Sequence, residues 1–177
     1  MEVLVRGEAN PNERGGHFGN ALQAASYREH DGIVARLIAW GADVNARGGP
    51  YGCALQAACL RGHLSTARVL LRNGADVDVV GGHYHSPLQA AAFAGRMDLV
   101  QILLRAGADV SLTGGGYGGA LPAACIRGWT DIVAALLDAG ARADYSYPRL
   151  LGGGMNNSTV DDRRSAAHSS GSTRAGT

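Results

Sequence analysis

The sequence has few charged residues and no long apolar segment, and both shortages exclude classes of protein. Charged residues make up 18% of the 177 residues and the net charge is +1. Proteins that hold nucleic acid by its phosphates usually concentrate basic residues on one face, so we expect no nucleic-acid partner. No apolar run approaches the roughly 18 residues of a membrane span, so we expect no membrane partner either.

A targeting segment is not recognisable in the sequence. The start, Met1-Glu2-Val3-Leu4-Val5, is acidic and too short for a secretory signal peptide. We therefore expect an intracellular protein, cytoplasmic or nuclear.

Cysteine is also scarce. Cys53, Cys59 and Cys125 form an odd set without metal-ligand spacing. We interpret them as reduced thiols in the interior, where free cysteine behaves as a small apolar residue. Cys59 and Cys125 are equivalent positions two repeats apart, near 20 Å if helices pack about 8–10 Å apart, which is too far for a disulfide.

No arrangement of residues points to catalysis. The sequence lacks a P-loop, and no Ser/His/Asp, Cys/His or paired-carboxylate constellation stands out. His83 and His85 have no third ligand nearby, and we interpret them as part of a solvated loop tip. We therefore predict no catalytic, cofactor-binding or metal-binding residue, and no enzyme.

Glycine, in contrast, is abundant, with 27 residues, about twice its usual share of roughly 7%. The glycines take part in a repeat whose step is constant, without insertion or deletion. Three markers share this step: the leucines Leu22, Leu55, Leu88 and Leu121, the glycines Gly41, Gly74, Gly107 and Gly140, and the aromatic residues Phe18, Tyr51, Tyr84 and Tyr117. A period of about 33 residues predicts a solenoid.

One unit contains two short helices. The first begins near Ala54 and ends at Gly62, since glycine readily adopts the left-handed conformation that follows a helix. The second covers about residues 64–73 and ends at Gly74. Its apolar stripe is covered only when neighbouring units stack on both sides.

The repeat resembles the ankyrin family. The family pattern is met by Ser86-Pro87-Leu88-Gln89-Ala90-Ala91, Gly62-His63, Leu70-Leu71 and Gly74-Ala75-Asp76-Val77. The resemblance implies an all-α solenoid of stacked helix–turn–helix units with loop or β-turn fingers, in which His30 and His63 are structural. The sequence departs from the pattern at three positions of the repeat. Glutamine replaces the usual histidine at Gln23, Gln56 and Gln89, and Pro122 replaces it in the last repeat; the usual threonine is replaced at Asn20, Cys53 and Gly119, and the loop aspartate at Arg142.

The predicted organisation has four complete repeats, at 15–47, 48–80, 81–113 and 114–146. Residues 1–14 align with the second half of a repeat, which indicates either a truncated fragment or a longer parent protein. Residues 147–177 lack apolar periodicity and are predicted to be a disordered tail rich in glycine and serine.

One glycine-rich segment formally matches the dinucleotide-binding pattern G-x-G-x-x-G. It is Gly114-Gly115-Gly116-Tyr117-Gly118-Gly119, and equivalent loops begin at Gly15, Gly48 and Gly81. We therefore interpret it as the turn of the repeat and expect no cofactor.

The resemblance implies a protein–protein interaction scaffold, a monomer that binds its partner on a concave face. Its candidate contacts are the residue pairs that end each first helix and the loop aromatics: Tyr27, Arg28, Leu60, Arg61, Phe93, Ile126, Arg127, Tyr51, Tyr84 and Tyr117. The helix residues form a stripe of large apolar side chains beside a row of arginines. This pattern predicts an acidic rim on the partner. The loop aromatics either form a second binding stripe or pack against the next loop.

The loop and helix motifs are also similar to the ankyrin arrays of filamentous fungi, which are often attached to NACHT-type NTPases. The alternative function is therefore a fragment or regulatory sensor array of such a signalling protein.

Overall fold

The computed structural model describes residues 10–142, which form eight short α-helices. Their bounds are α1 (Ala21–Tyr27), α2 (Asp31–Ala39), α3 (Ala54–Arg61), α4 (Leu64–Arg72), α5 (Pro87–Phe93), α6 (Met97–Arg105), α7 (Ala120–Arg127) and α8 (Thr130–Asp138). The Val3-Leu4-Val5 edge of the predicted partial repeat and the predicted tail at 147–177 lie outside the described residues.

The helices form two parallel rows of neighbours. Each first helix, α1, α3, α5 or α7, packs on the second helix that follows it, and the first helices pack on one another in chain order. The second helices α2, α4, α6 and α8 make a looser second row. In the described part of the chain the only β-pairing is two isolated bridges within loops, Gly15 with Gly19 and Gly81 with His85. The predicted all-α solenoid is confirmed.

The interior repeats with the period of the sequence. Each first helix buries its marker leucine, and each second helix buries a further leucine. These residues are Leu22, Leu55, Leu88 and Leu121 in the first row and Leu37, Leu70, Leu103 and Leu136 in the second. Alanines beside the leucines allow close approach of adjacent first helices, and the whole forms one continuous apolar core.

Three of the first helices have a side-chain cap. Asn20 Oδ1, Cys53 Sγ and Ser86 Oγ each accept a hydrogen bond from the backbone N–H three residues later, at 2.8, 3.3 and 3.2 Å. The replacements at Asn20 and Cys53 therefore keep the capping role, because each side chain offers an acceptor at the helix start. Gly119 lacks a side chain and caps nothing.

Buried glutamines join α1 and α3 to the loop of the next repeat. Gln56 Nε2 donates to the carbonyl oxygens of Val79 and His85, at 3.2 and 2.7 Å. Gln23 makes the equivalent pair of bonds one repeat earlier. Since buried backbone carbonyls need donors, these glutamines fix the position of each loop on the preceding helix.

A second set of hydrogen bonds joins successive loops. Asn12 Oδ1 accepts the N–H of Asp43 at 2.6 Å, and Asn45 Oδ1 accepts the N–H of Asp76 at 2.7 Å. Asp78 makes the corresponding bond to Asp109 at 2.9 Å. The loops are thus held to one another independently of the helices.

Candidate functional site

The predicted helix residues lie at one end of the first helices. Tyr27 and Phe93 end α1 and α5, while Leu60 and Ile126 stand one residue before the ends of α3 and α7. The arginines Arg28, Arg61 and Arg127 follow directly and are exposed. The stack therefore aligns these positions in one row.

The loop aromatics lie in turns that begin with two glycines. In the loop at Tyr51, the N–H of Gly48 donates to the carbonyl of Gly52 at 2.9 Å and closes the turn. Gly49 has a φ of 61°, and a Cβ there would lie 2.8 Å from the carbonyl oxygen of Phe18. Only glycine lets adjacent turns approach this closely, and the approach brings Phe18 and Tyr51 together.

The first aromatic cluster consists of His17, Phe18, Tyr27 and Tyr51. Phe18 stacks on Tyr51 with 5.8 Å between ring centroids, and Tyr27 lies 5.1 Å from Phe18 and 4.7 Å from Tyr51. His17 contacts both loop rings edge-on. One helix residue and three loop residues thus form a single group.

The second aromatic cluster repeats this arrangement with His83, Tyr84, Phe93 and Tyr117. Tyr84 stacks on Tyr117 at 5.9 Å, and Phe93 lies 5.3 Å from Tyr84 and 4.5 Å from Tyr117. His83 contacts Tyr84 and Tyr117 edge-on. Burial raises the pKa of Tyr84, and in the first cluster the neighbouring Tyr27 hydroxyl raises that of Tyr51, so both phenols stay neutral at physiological pH.

The two clusters are separate. In residues 10–142 no ring contact joins Tyr51 to Tyr84, since the helix position between them is occupied by Leu60. Leu60 is half-buried and packs against the core. The helix and loop residues therefore combine into two clusters, in which the loop aromatics pack on the neighbouring loops. Their role in binding a partner stays a prediction.

Arginines cover the helix rings. The guanidinium carbon of Arg61 lies 4.9 Å from the ring centroid of Tyr27, and that of Arg127 lies 5.0 Å from the centroid of Phe93. Arg28 reaches the ring of Tyr27 at 5.8 Å. A cation over an aromatic face is attracted by the ring quadrupole, which holds each guanidinium beside its cluster. We call the two clusters, with Arg28, Arg61 and Arg127, the aromatic face.

The two aromatic clusters are two repeats apart, although a loop ring is present in every repeat. His17 and His83, Tyr27 and Phe93, and Tyr51 and Tyr117 occupy equivalent positions two repeats apart. So do Arg61 and Arg127. The sequence prediction missed His17 and His83 as members of the face, although their spacing is the signal that would have found them.

The last described first helix exposes residues that earlier repeats bury. Ile126 is 66% exposed, whereas Leu60 at the equivalent position is half-buried. Cys125 is exposed, so the prediction of three buried thiols is wrong for this one. In the described part of the chain, no further first helix packs on α7 to cover it. Cys53 and Cys59 are buried as predicted, and all three thiols are free.

Side chains at the start of the second helices contact the backbone of the two helix rings, Tyr27 and Phe93. His63 Nε2 lies 3.0 Å from the carbonyl oxygen of Tyr27, and Trp129 Nε1 donates to that of Phe93 at 3.2 Å. His63 Nδ1 also lies 3.3 Å from Glu29 Oε2. His63 is therefore structural, as the family resemblance implied, and it anchors the end of the helix that carries Tyr27.

The glycine-rich segment and the paired histidines lie in turns of the repeat. Residues 114–119 form the turn before α7, between helices and not between a strand and a helix. His83 is exposed at a loop tip. Across residues 10–142, no group of three or more histidine, cysteine, aspartate or glutamate side chains could hold a metal ion.

The described helices are also too short to cross a bilayer. Their longest members have nine residues, which corresponds to about 14 Å at 1.5 Å per residue against a hydrocarbon core of about 30 Å.

Comparison with known proteins identifies the family of the repeat. A family model for ankyrin repeats, in three copies, covers residues 21–114, more than half of the chain. No curated protein matches the chain. The narrower resemblance to fungal NACHT-type arrays therefore stays a prediction.

Proposed function

The chain belongs to the ankyrin-repeat family, and from this premise we propose that it is a non-catalytic scaffold that binds a protein partner through its aromatic face. Ankyrin repeats are generally protein–protein interaction modules. The observation that carries the proposal is the placement of half-buried rings beside exposed arginines along one side of the stack. Aromatic residues and arginine are the residue types most enriched at binding hot spots.

The rings still expose part of their surface to solvent after they pack on one another. Tyr27, Tyr51, Tyr84, Phe93 and Tyr117 keep an intermediate exposure after packing on their neighbours. Their mutual contacts fix the side chains in one arrangement before a partner arrives. A preorganised surface loses less conformational entropy on binding, so the packing that stabilises the clusters also favours recognition.

The thiols support a location inside the cell. Cys53 and Cys59 are buried without a disulfide partner, and Cys125 is exposed as a free thiol. Free thiols of this kind are typical of reducing compartments. We therefore propose that the scaffold acts in the cytoplasm or nucleus.

Charge reversal on the aromatic face tests the function. The triple variant Arg28→Glu, Arg61→Glu, Arg127→Glu should lose partner capture in affinity purification followed by quantitative mass spectrometry. The matched control reverses Arg36, Arg72 and Arg105, which are exposed in the last turns of second helices. Both variants change the net charge equally and place glutamate near the end of a helix, so their effects on the helix dipole are similar.

The expected result is loss of capture for the face variant alone, with both variants keeping a cooperative helical melt. Equal capture by the wild-type chain and the face variant would refute the proposal.

A further inference from the structure

We propose that the aromatic face binds an extended acidic peptide at two points simultaneously, one at each aromatic cluster. This inference rests on the proposed protein-binding function and names the chemistry of the partner. It follows from three properties of the face: its uncompensated positive charge, its paired clusters and the distance between them.

The charge of the face calls for an acidic partner. Within residues 10–142, Arg28, Arg61 and Arg127 form no salt bridge with a carboxylate. The acidic residue nearest in sequence, Glu29, instead contacts His63. Three exposed guanidiniums thus line the rings without a counter-charge from the described part of the chain, and a carboxylate on the partner would supply it.

The position of each guanidinium defines which residues of the partner can bind a cluster. We call such a group of partner residues an anchor. Arg61 and Arg127 lie over ring faces, which leaves the N–H groups at the edge of each guanidinium able to bind a carboxylate. The remaining ring surface beside them is apolar and half-exposed. The complementary anchor is therefore an acidic residue next to an apolar or aromatic one.

The duplication of the clusters calls for two such anchors. Both clusters contain a histidine, two stacked loop rings, a helix ring and a covering arginine, in equivalent positions two repeats apart. A partner anchor that fits one cluster will therefore fit the other. Linking two weak contacts in one chain raises the overall affinity about 10²- to 10⁴-fold when the linker spans the sites.

The spacing of the clusters sets the spacing of the anchors. Adjacent helices pack about 8–10 Å apart, so equivalent points two repeats apart are separated by about 16–20 Å. An extended chain advances about 3.3 Å per residue, so roughly five or six residues connect the anchors. A helical peptide would need about twice as many residues for the same distance, at 1.5 Å per residue.

Selection of peptides on the full chain tests this inference. A displayed library of random 16-residue peptides is panned against the wild-type chain after removal of clones that bind the variant Arg28→Glu, Arg61→Glu, Arg127→Glu. Enriched clones should carry two acidic–apolar pairs about five or six residues apart. Enrichment of basic or neutral sequences would overturn the acidic assignment, and enrichment of a single acidic–apolar pair would overturn the two-point contact.

The affinity of an enriched peptide, measured by fluorescence anisotropy, locates both contacts. Tyr27→Ala and Phe93→Ala should each weaken binding about 100-fold or more, since each leaves a single anchor. Arg61→Gln and Arg127→Gln disturb packing less and should weaken binding in the same direction. Arg105→Gln, on a second helix, should leave the affinity unchanged.

Three results would contradict the proposal. The first is an unchanged affinity for the enriched peptide when either cluster is altered. The second is an equal affinity for a peptide whose acidic residues are changed to glutamine. The third is complete competition by a single-stranded oligouridine that binds the chain as tightly as the peptide does. Each can occur while the chain still captures a protein through its aromatic face, so failure here is distinct from failure of the proposed function.

Discussion

The buried leucines recur in every repeat of the stack, whereas the aromatic clusters recur only in every second one. Leu22, Leu55, Leu88 and Leu121 occupy one buried position in all four helix pairs. On the face, the corresponding row alternates between rings, Tyr27 and Phe93, and aliphatic residues, Leu60 and Ile126. Each helix packs against the equivalent helix of the next repeat, so packing favours the shorter period. The longer period is not required by stacking, and it is consistent with the partner contact that we propose for this face.

Truncation of an interior leucine should have the largest effect on stability. Leu88 is 1% exposed within the core, and Leu88→Ala should lower the free energy of unfolding by about 2–5 kcal/mol through lost burial and the remaining cavity. Ile126→Ala, on a first helix but 66% exposed, should change it by less than about 0.5 kcal/mol. Urea unfolding followed by circular dichroism measures both, and similar losses would show that the two regions are not distinct.

Two buried glutamines at the same position of adjacent repeats should respond differently to one substitution. Gln56 donates to two loop carbonyls, whereas the side-chain amide of Gln89 finds no hydrogen-bond partner within residues 10–142. Gln56→Leu leaves buried acceptors unpaired and should cost about 1–3 kcal/mol, while Gln89→Leu should be neutral or stabilising. Urea midpoints of the two variants report the difference, and an equal loss in both would refute this account of the loop attachment.

The thiols should differ in reactivity, because two are buried and one is exposed. Burial raises the pKa of Cys53 to about 11 and that of Cys59 well above its ordinary value. Both therefore stay protonated at pH 8, and the reactive thiolate is scarce. Iodoacetamide should alkylate the exposed Cys125 first, as peptide mass spectrometry would show. Modification of Cys59 in the folded chain at the same rate would place that residue outside the core.

The fold could be predicted from the sequence because its determinants are local and repeated. The constant step of the repeat places Leu55 and Leu88 in the core, and Gly62 ends its helix in the left-handed conformation with a φ of 80°. The exposed Cys125 was missed because burial depends on a neighbour beyond α7, and a repeat pattern assigns every unit the same environment.

The aromatic face was predicted only in part, because its contacts join residues from different repeats. Tyr27 and Tyr51 both carry the signal of the repeat, but their contact depends on how closely adjacent turns approach at Gly49. The placement of Arg61 over Tyr27 likewise depends on the offset between α1 and α3. His17 and His83 lie two repeats apart in the sequence. This longer spacing was missed because all loop aromatics were treated as equivalent.

The most direct test of the protein-binding face is side-chain footprinting of the chain with and without its captured partner. Hydroxyl radicals oxidise exposed aromatic rings, and mass spectrometry locates the oxidised residues. We expect the partner to protect Tyr27, Tyr51, Phe93 and Tyr117 while leaving Trp40, which is 40% exposed next to α2, as reactive as before. Protection of Trp40 with unchanged oxidation of the four face rings would contradict the account.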